Sequence, residues 1–265
     1  MYTHIMNIMN IIIIMLIITV LILKYFTKTI KNRLYYYPNT TYMLDKPNNN
    51  IEDIYIDNDN GDTLHGWYYN NKQNDNIILF CHGNAGNLTF RTNVMNNIIQ
   101  IGYSFLLFDY RGFGKSTGNT FIDTTYDDTT DWFNYLIKTK KINKTKIIPM
   151  GESIGCYPAA KLAEKYQLSN LILLAGFHNI SDVINNILVY PIGYFISLLA
   201  KGDLDVGSCL QNYKGNLLIL HSKNDNLISY QNAINNNKYG GHLVEIQGDH
   251  NNPIFDWNII NKYIK

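Results

Sequence analysis

Short, continuous apolar runs recur along the chain from about residue 76: "NIILFC", "YSFLLFD", "KIIPM", "NLILLA", "NLLILHS" and "HLVEI". Most are separated by stretches with helical spacing, among them "TFRTNVMNNIIQI" and "YDDTTDWFNYLIK". Uninterrupted apolar strands alternating with such stretches predict an α/β architecture, a mostly parallel central sheet with helices on both faces. Ahead of them, "EDIYIDNDNGDTLHGWYY" gives two alternating segments around Asn60-Gly61, which is a hairpin signal. No repeat of fixed period is visible.

The amino-terminal stretch is a different solvent problem. Ile5–Leu23 carries no charge. As a helix it would span about 28 Å, close to the hydrocarbon thickness of a bilayer. A cleaved signal peptide would show a basic start and a small-residue cleavage site, and neither is visible, so a retained transmembrane helix is expected. Lys24, Lys28, Lys31 and Arg33 follow the span and no Lys or Arg precedes it. Positive flanks stay cytoplasmic, which turns the large C-terminal part toward the cytosol. The expected organisation is an anchor with its basic flank over 1–33, a polar, aromatic linker over 34–50, and one domain over 51–265. Four Asn-x-Ser/Thr sequons begin at Asn39, Asn87, Asn143 and Asn179. In a chain this rich in Asn they are expected by chance and do not argue for a lumenal domain.

Charge and cysteine content narrow the classes further. A formal net charge of +1 over 265 residues argues against nucleic-acid binding driven by bulk charge. Cys81, Cys156 and Cys209 form neither a disulfide framework nor a CxxC metal pattern, and read as small buried residues.

In a parallel sheet, function gathers in the loops beyond the strand C-termini. The apolar runs are followed there by "HGNAGN" (His82–Asn87), "YRGFGKSTG", "GESIG" (Gly151–Gly155), "KNDNLIS" with Asp225, and "QGDHNN" with His250. Ser, Asp and His therefore appear in that chain order, each just past a strand. The glycines around Ser153 answer a steric need, because a tight strand-to-helix turn brings its flanks too close for side chains. G-x-S-x-G gains its meaning from that context and from the Ser…Asp…His order.

At these residues the chain resembles the α/β-hydrolase superfamily. It is most similar to membrane-tethered serine hydrolases with a "HGNAGN…DYRGFGKS…GESIG" pattern, including protein depalmitoylase-like and lysophospholipase-like members. The resemblance covers roughly residues 50–265 and is weak across 176–210. It implies Ser153 as nucleophile, His250 as the base that later acts as acid, and Asp225 as the group that orients the imidazole. It also implies an oxyanion hole from the backbone N–H groups of Asn84 and Ile154, and a mechanism that needs no metal or organic cofactor. Acyl esters or thioesters are the implied substrates: S-acyl protein thioesters first, a lysophospholipid or monoacylglycerol as the alternative. Both would be met at a membrane. A catalytically idle, membrane-tethered binding scaffold is the reading from another class.

Other chemistry-bearing residues compete with these. Asp249 competes with Asp225, but a sequence neighbour seldom reaches back to its own histidine's Nδ1. His82 and His221 read as structural histidines, Glu152 as pointing into the scaffold, and Asp109 and Arg111 as ties between loops. Pro149 in the strand before the elbow would remove a ladder hydrogen bond; Pro158, early in the next helix, is better tolerated. The segment 176–210 reads as a small cap. Its Tyr190, Tyr194 and Phe195 either line an acyl channel or pack onto the domain.

Overall fold

The computed structural model describes positions 10, 14, 15, 17–19, 29–44 and 49–264. The chain divides into two units, Met1–Tyr37 and Pro38–Lys265. In the first, the described positions up to 19 are helical and so are residues 29–35. Most of Ile5–Leu23, the expected anchor, lies outside the described residues. Among the described residues no helix is long and apolar enough to cross a membrane.

Among the described residues, the main sheet of the second unit has nine strands: β1 (Ile51–Asp57), β2 (Thr63–Tyr69), β3 (Ile77–Cys81), β4 (Ser104–Phe108), β5 (Ile147–Glu152), β6 (Asn170–Leu174), β7 (Asn216–Ser222), β8 (His242–Gly248) and β9 (Pro253–Ile254). They join in the order β9-β8-β7-β6-β5-β3-β4-β2-β1. The six strands from β8 to β4 are parallel; β1, β2 and β9 pair antiparallel with their neighbours. The Asn60-Gly61 hairpin forms, with Ile51 opposite Tyr69 and Asp57 opposite Thr63.

Crossover connections carry the helices α1 (Thr92–Gln100), α2 (Ile122–Lys138), α3 (Cys156–Tyr166), α4 (Ile180–Ile187), α5 (Ile192–Leu199), α6 (Val206–Asn212) and α7 (Tyr230–Asn237), and α8 (Ile259–Tyr263) follows the last strand. Alternating strand positions make two cores. Ile78, Phe80, Phe105, Leu107, Met150 and Leu218 pack with Met95 and Ile98 of α1 and Ile260 of α8. On the opposite pleat, Trp132 of α2 lies against Phe108, with ring centroids 6.0 Å apart. A Cβ on Gly66 would come within 3.0 Å of that indole, so β2 needs a glycine there to let α2 approach.

Strand β5 accepts Pro149 opposite Leu79, and its ladder with β6 begins one residue later at Met150. Pro158 is the third residue of α3, within the first turn, whose N–H groups have no intrahelical partner. Residues 39–42 of the expected linker are stitched to the sheet's loops. Asn39 N–H donates to Gly86 O (3.0 Å), and the Asn87 amide donates to Asn39 O and Thr41 O (both 2.9 Å). Tyr42 hydroxyl bonds the Asp109 carboxylate.

The four sequon asparagines share a local role. Asn39, Asn87 and Asn143 each accept with Oδ1 from the backbone N–H two residues on, at 2.8–3.0 Å. Asn179 caps α4 by accepting from Asp182 N–H (2.9 Å). The Thr at the third position of two of them adds its hydroxyl to the same Oδ1. These are side-chain-to-backbone turns that Asn favours.

Candidate active site

Strand β5 runs into α3 through a turn that only small flanks permit. Ser153 sits at φ +54°, in the left-handed region that costs an L-residue energy. A Cβ on Gly151 would stand 2.4 Å from Cys156 Cα, and one on Gly155 2.1 Å from Cys81 O. Both distances are far inside contact, so Gly151 is required by the tightness of the elbow itself and Gly155 by the packing of β3 against it. The result is a serine aimed out of the sheet's C-terminal edge, beside the N-terminus of α3.

Two other loops converge on that hydroxyl. Ser153 Oγ lies 3.0 Å from His250 Nε2, and His250 Nδ1 lies 2.8 Å from Asp225 Oδ2. The other Asp225 oxygen accepts from Leu227 N–H (2.9 Å) and Ile228 N–H (2.8 Å). Burial pushes this carboxyl's pKa up, but the hydrogen bonds from His250, Ile228 and Leu227 outweigh it and hold Asp225 below the ordinary aspartate value. Ser222 Oγ donates to Gly248 O (2.5 Å), tying the loop that carries Asp225 to the one that carries His250. Asp249 does not face the imidazole. Its carboxylate accepts from the backbone N–H groups of Asn251 (3.0 Å) and Asn252 (2.9 Å) and shapes the turn.

Two buried histidines frame the site without entering it. His221 Nε2 bonds Ile228 O (2.9 Å) and lies 3.4 Å from Asp225 Oδ2; burial lowers its pKa, which keeps it neutral beside the carboxylate. His82 Nδ1 bonds Gly83 O (2.7 Å), and burial pushes its pKa down to about 4. Asp109 is a buried hub that accepts from Leu88 N–H (2.7 Å). Arg111 Nε reaches Asp128 Oδ1 at 2.5 Å, and its backbone N–H reaches Oδ2 at 2.8 Å. All three cysteines are free and buried. Desolvation pushes the Cys81 and Cys209 thiols up to about 12 and Cys156 further, so none is a thiolate at neutral pH. Among the described residues no group of three or more His, Cys, Asp or Glu is placed to hold a metal.

A pocket of about 450 Å³ opens at Ser153. Its walls come from the first Gly loop (Gly83, Asn84), the start of α1 (Val94, Asn97), Phe90, and the segment after His250 through Trp257. Asn84 and Ser153 share this pocket, and the Ile154 N–H follows the serine directly. Tyr190, Tyr194 and Phe195, which the sequence leaves as either acyl-channel residues or residues packed onto the domain, line none of it. The cause is orientation. Helix α5 turns Gly193 and Ser197 inward and its bulky side chains outward, leaving Tyr194 and Phe195 at least half exposed, and Tyr190, in the link before the helix, is exposed as well.

Sequence reading passed over Arg91 altogether. Its Nε donates to Glu152 Oε2 (2.6 Å), and its Nη2 lies 3.4 Å from Ala85 O. The same Glu152 oxygen accepts from Gly83 N–H (3.3 Å). The pair thus holds the residues on both sides of Asn84, and Glu152 lines the pocket instead of pointing into the scaffold. A charged residue between the two motif glycines, at a closely packed turn, was the available signal that a cation must stand nearby.

The strand order and the elbow define a class of fold, and comparison with known proteins gives the same class. Residues 76–195 match the family model described as alpha/beta hydrolase fold. An uncharacterised protein of Acanthamoeba polyphaga mimivirus is 31% identical over 227 residues, covering 77% of this chain and 76% of that protein. An alpha-beta hydrolase from Vibrio vulnificus superposes with a TM-score of 0.70 at 22% identity, over 81% of this chain and 79% of that one. The esterase Pf2001 of Pyrococcus furiosus does so with a TM-score of 0.66 at 17% identity, over 81% and 90%. The chain belongs to the alpha/beta hydrolase family.

Proposed function

We propose that the protein is a serine hydrolase that cleaves acyl esters or thioesters through an acyl-enzyme on Ser153. The observation that carries this reading is the continuous line from Ser153 Oγ through the His250 ring to the Asp225 carboxylate, at 3.0 and 2.8 Å. In the attack, the Ser153 proton passes to His250 Nε2 as Oγ bonds the substrate carbonyl carbon. The imidazolium is stabilised by the buried anion of Asp225. Negative charge gathers on the former carbonyl oxygen, where the backbone N–H groups of Asn84 and Ile154 receive it. Collapse expels the thiol or alcohol, which takes the proton from Nε2. A water activated by His250 then releases the acid and restores the serine.

The preferred substrates are S-acyl protein thioesters at a membrane. The apolar part of the pocket, with Phe90, Val94, Phe255 and Trp257, suits an acyl group. The motif resemblance to depalmitoylase-like members supports the same choice. An anchor at Ile5–Leu23, with the domain on the cytosolic side, would hold the site near lipidated proteins.

A fluorophosphonate probe tests the chemistry. Wild type should be labelled, and Ser153→Ala should lose both labelling and at least about 10⁴-fold of its turnover of a short nitrophenyl ester. An unlabelled wild type would leave the idle scaffold as the correct class. Given labelling, faster turnover of a lysophospholipid than of an S-acylated protein in the same vesicles would replace the thioester assignment.

A further inference from the structure

Helix α5 is amphipathic the wrong way round for a helix of a soluble protein. Such helices put their apolar stripe against the core. Here the inward positions are Gly193, Ser197 and Ala200, whereas Ile192, Tyr194, Phe195 and Leu199 are 50–62% exposed. Val189 and Tyr190, in the link from α4, are exposed by 82% and 81%. A contiguous patch of this kind on a folded domain marks a contact with something apolar.

We infer that the α4–α5 hairpin is a membrane-contact surface, which seats its outward side chains in the interfacial layer of a phospholipid bilayer. Charge favours lipid as the occupant. No charged residue occurs from Val183 to Ala200, and the first one after it is the exposed Lys201. The carboxylate that precedes the stretch, Asp182, is engaged by the Asn179 amide at 2.8 Å. A protein interface surrounds its apolar centre with a polar, hydrogen-bonding rim. This surface instead offers large apolar groups, two tyrosines and a terminal lysine. Tyrosines settle at headgroup level, apolar side chains below it, and a lysine against anionic headgroups. Position agrees as well. The hairpin leaves the sheet at the C-terminal end of β6, the end at which Ser153, Asp225 and His250 stand. At the pocket itself, Phe90 and Ile254 add two more exposed apolar side chains. A bilayer that meets the hairpin therefore lies at the pocket's end of the domain, and this holds whether or not the substrate is an S-acyl protein.

Spin labelling of the full chain tests the inference. The native cysteines are buried, so a nitroxide can be placed at Phe195→Cys and, as an exposed control on α2, at Lys138→Cys. In vesicles of phosphatidylcholine and phosphatidylserine, the label at 195 should be several-fold more accessible to oxygen than to a water-soluble nickel chelate. The label at 138 should show the reverse. Equal or greater nickel accessibility at 195 in the reconstituted protein would overturn the inference. So would dipolar broadening between labels at 195 that vanishes on dilution with unlabelled protein, because a second copy would then cover the patch.

Discussion

Replacing Glu152 by Gln keeps the shape of the side chain and removes its charge. The ion pair it forms with Arg91 is 2.6 Å long, with the two side chains 19% and 14% exposed. That places it between exposed pairs, worth about 0–1 kcal/mol, and fully buried ones, whose breakage costs about 3–5 kcal/mol. A hydrogen bond to a charged group contributes about 1.5–3 kcal/mol, so roughly 2 kcal/mol of restraint on the loop around Asn84 is at stake. If the restraint serves to keep the Asn84 N–H aimed at the developing oxyanion, the whole of it acts on the transition state. At 1.36 kcal/mol per decade, kcat then falls about 30-fold. This stays below the 100–1000-fold loss expected when a donor is removed outright. KM for a short ester should hardly change, since the ground-state carbonyl makes little use of that donor. Steady-state kinetics on a nitrophenyl ester would read this split. The rate of fluorophosphonate labelling should fall in parallel, because the adduct places an oxygen in the same hole. Arg91→Gln should reproduce both effects. A Glu152→Gln enzyme with kcat within twofold of wild type and only a lowered Tm would refute the reasoning and leave the pair a mere structural tie.

Asp225→Asn should cripple turnover by removing the anion that His250 Nδ1 faces, whereas Asp249→Asn should be mild; the opposite ranking in a nitrophenyl-ester assay would reject the geometry. His82 supplies a pH dependence. Its pKa drops from 6.5 to about 4 on burial, so as pH falls through that window the unfolded chain binds a proton that the folded chain refuses. Stability should therefore be lost as pH falls from about 6.5 to 4, and the slope of Tm against pH should be shallower in His82→Gln; equal slopes would exclude His82 as the source. Deleting residues 1–33 should leave turnover of soluble esters near wild type and lose most activity on vesicle-borne substrates, because tethering raises effective concentration. Unchanged vesicle activity would show that the segment does not present substrate.

Strands β3 to β7 were legible because a strand buried on both faces must be apolar throughout, the partly exposed β8 from its short apolar run, and the hairpin because Asn-Gly has few other uses. The elbow and the order Ser153, Asp225, His250 were legible because each follows the C-terminal end of an apolar strand of one sheet. The pocket walls were not. Phe90, Val94, Ile254 and Trp257 come from segments whose meeting depends on how α1 and the last loop pack, and no short-range pattern encodes that. The same holds for Arg91 and Glu152, 61 positions apart. For Tyr190, Tyr194 and Phe195 the composition was read correctly as apolar and aromatic, but the side they face depends on Gly193 and Ser197, whose small size lets them lie inward.

The four asparagines of the Asn-x-Ser/Thr sequons bear on how modification of this chain could be studied. Each folds its own backbone through the carbonyl of its amide, and the Asn87 amide nitrogen is already donated twice. A survey that exchanges these residues for Gln and watches for a mobility shift would remove four local turns in one pass. Loss of signal from such variants would then report misfolding and clearance, and would be mistaken for loss of a sugar. In an Asn-rich chain the glycan-acceptor motif and the turn motif are the same three letters, and only the acceptor of the backbone N–H two or three residues on tells them apart.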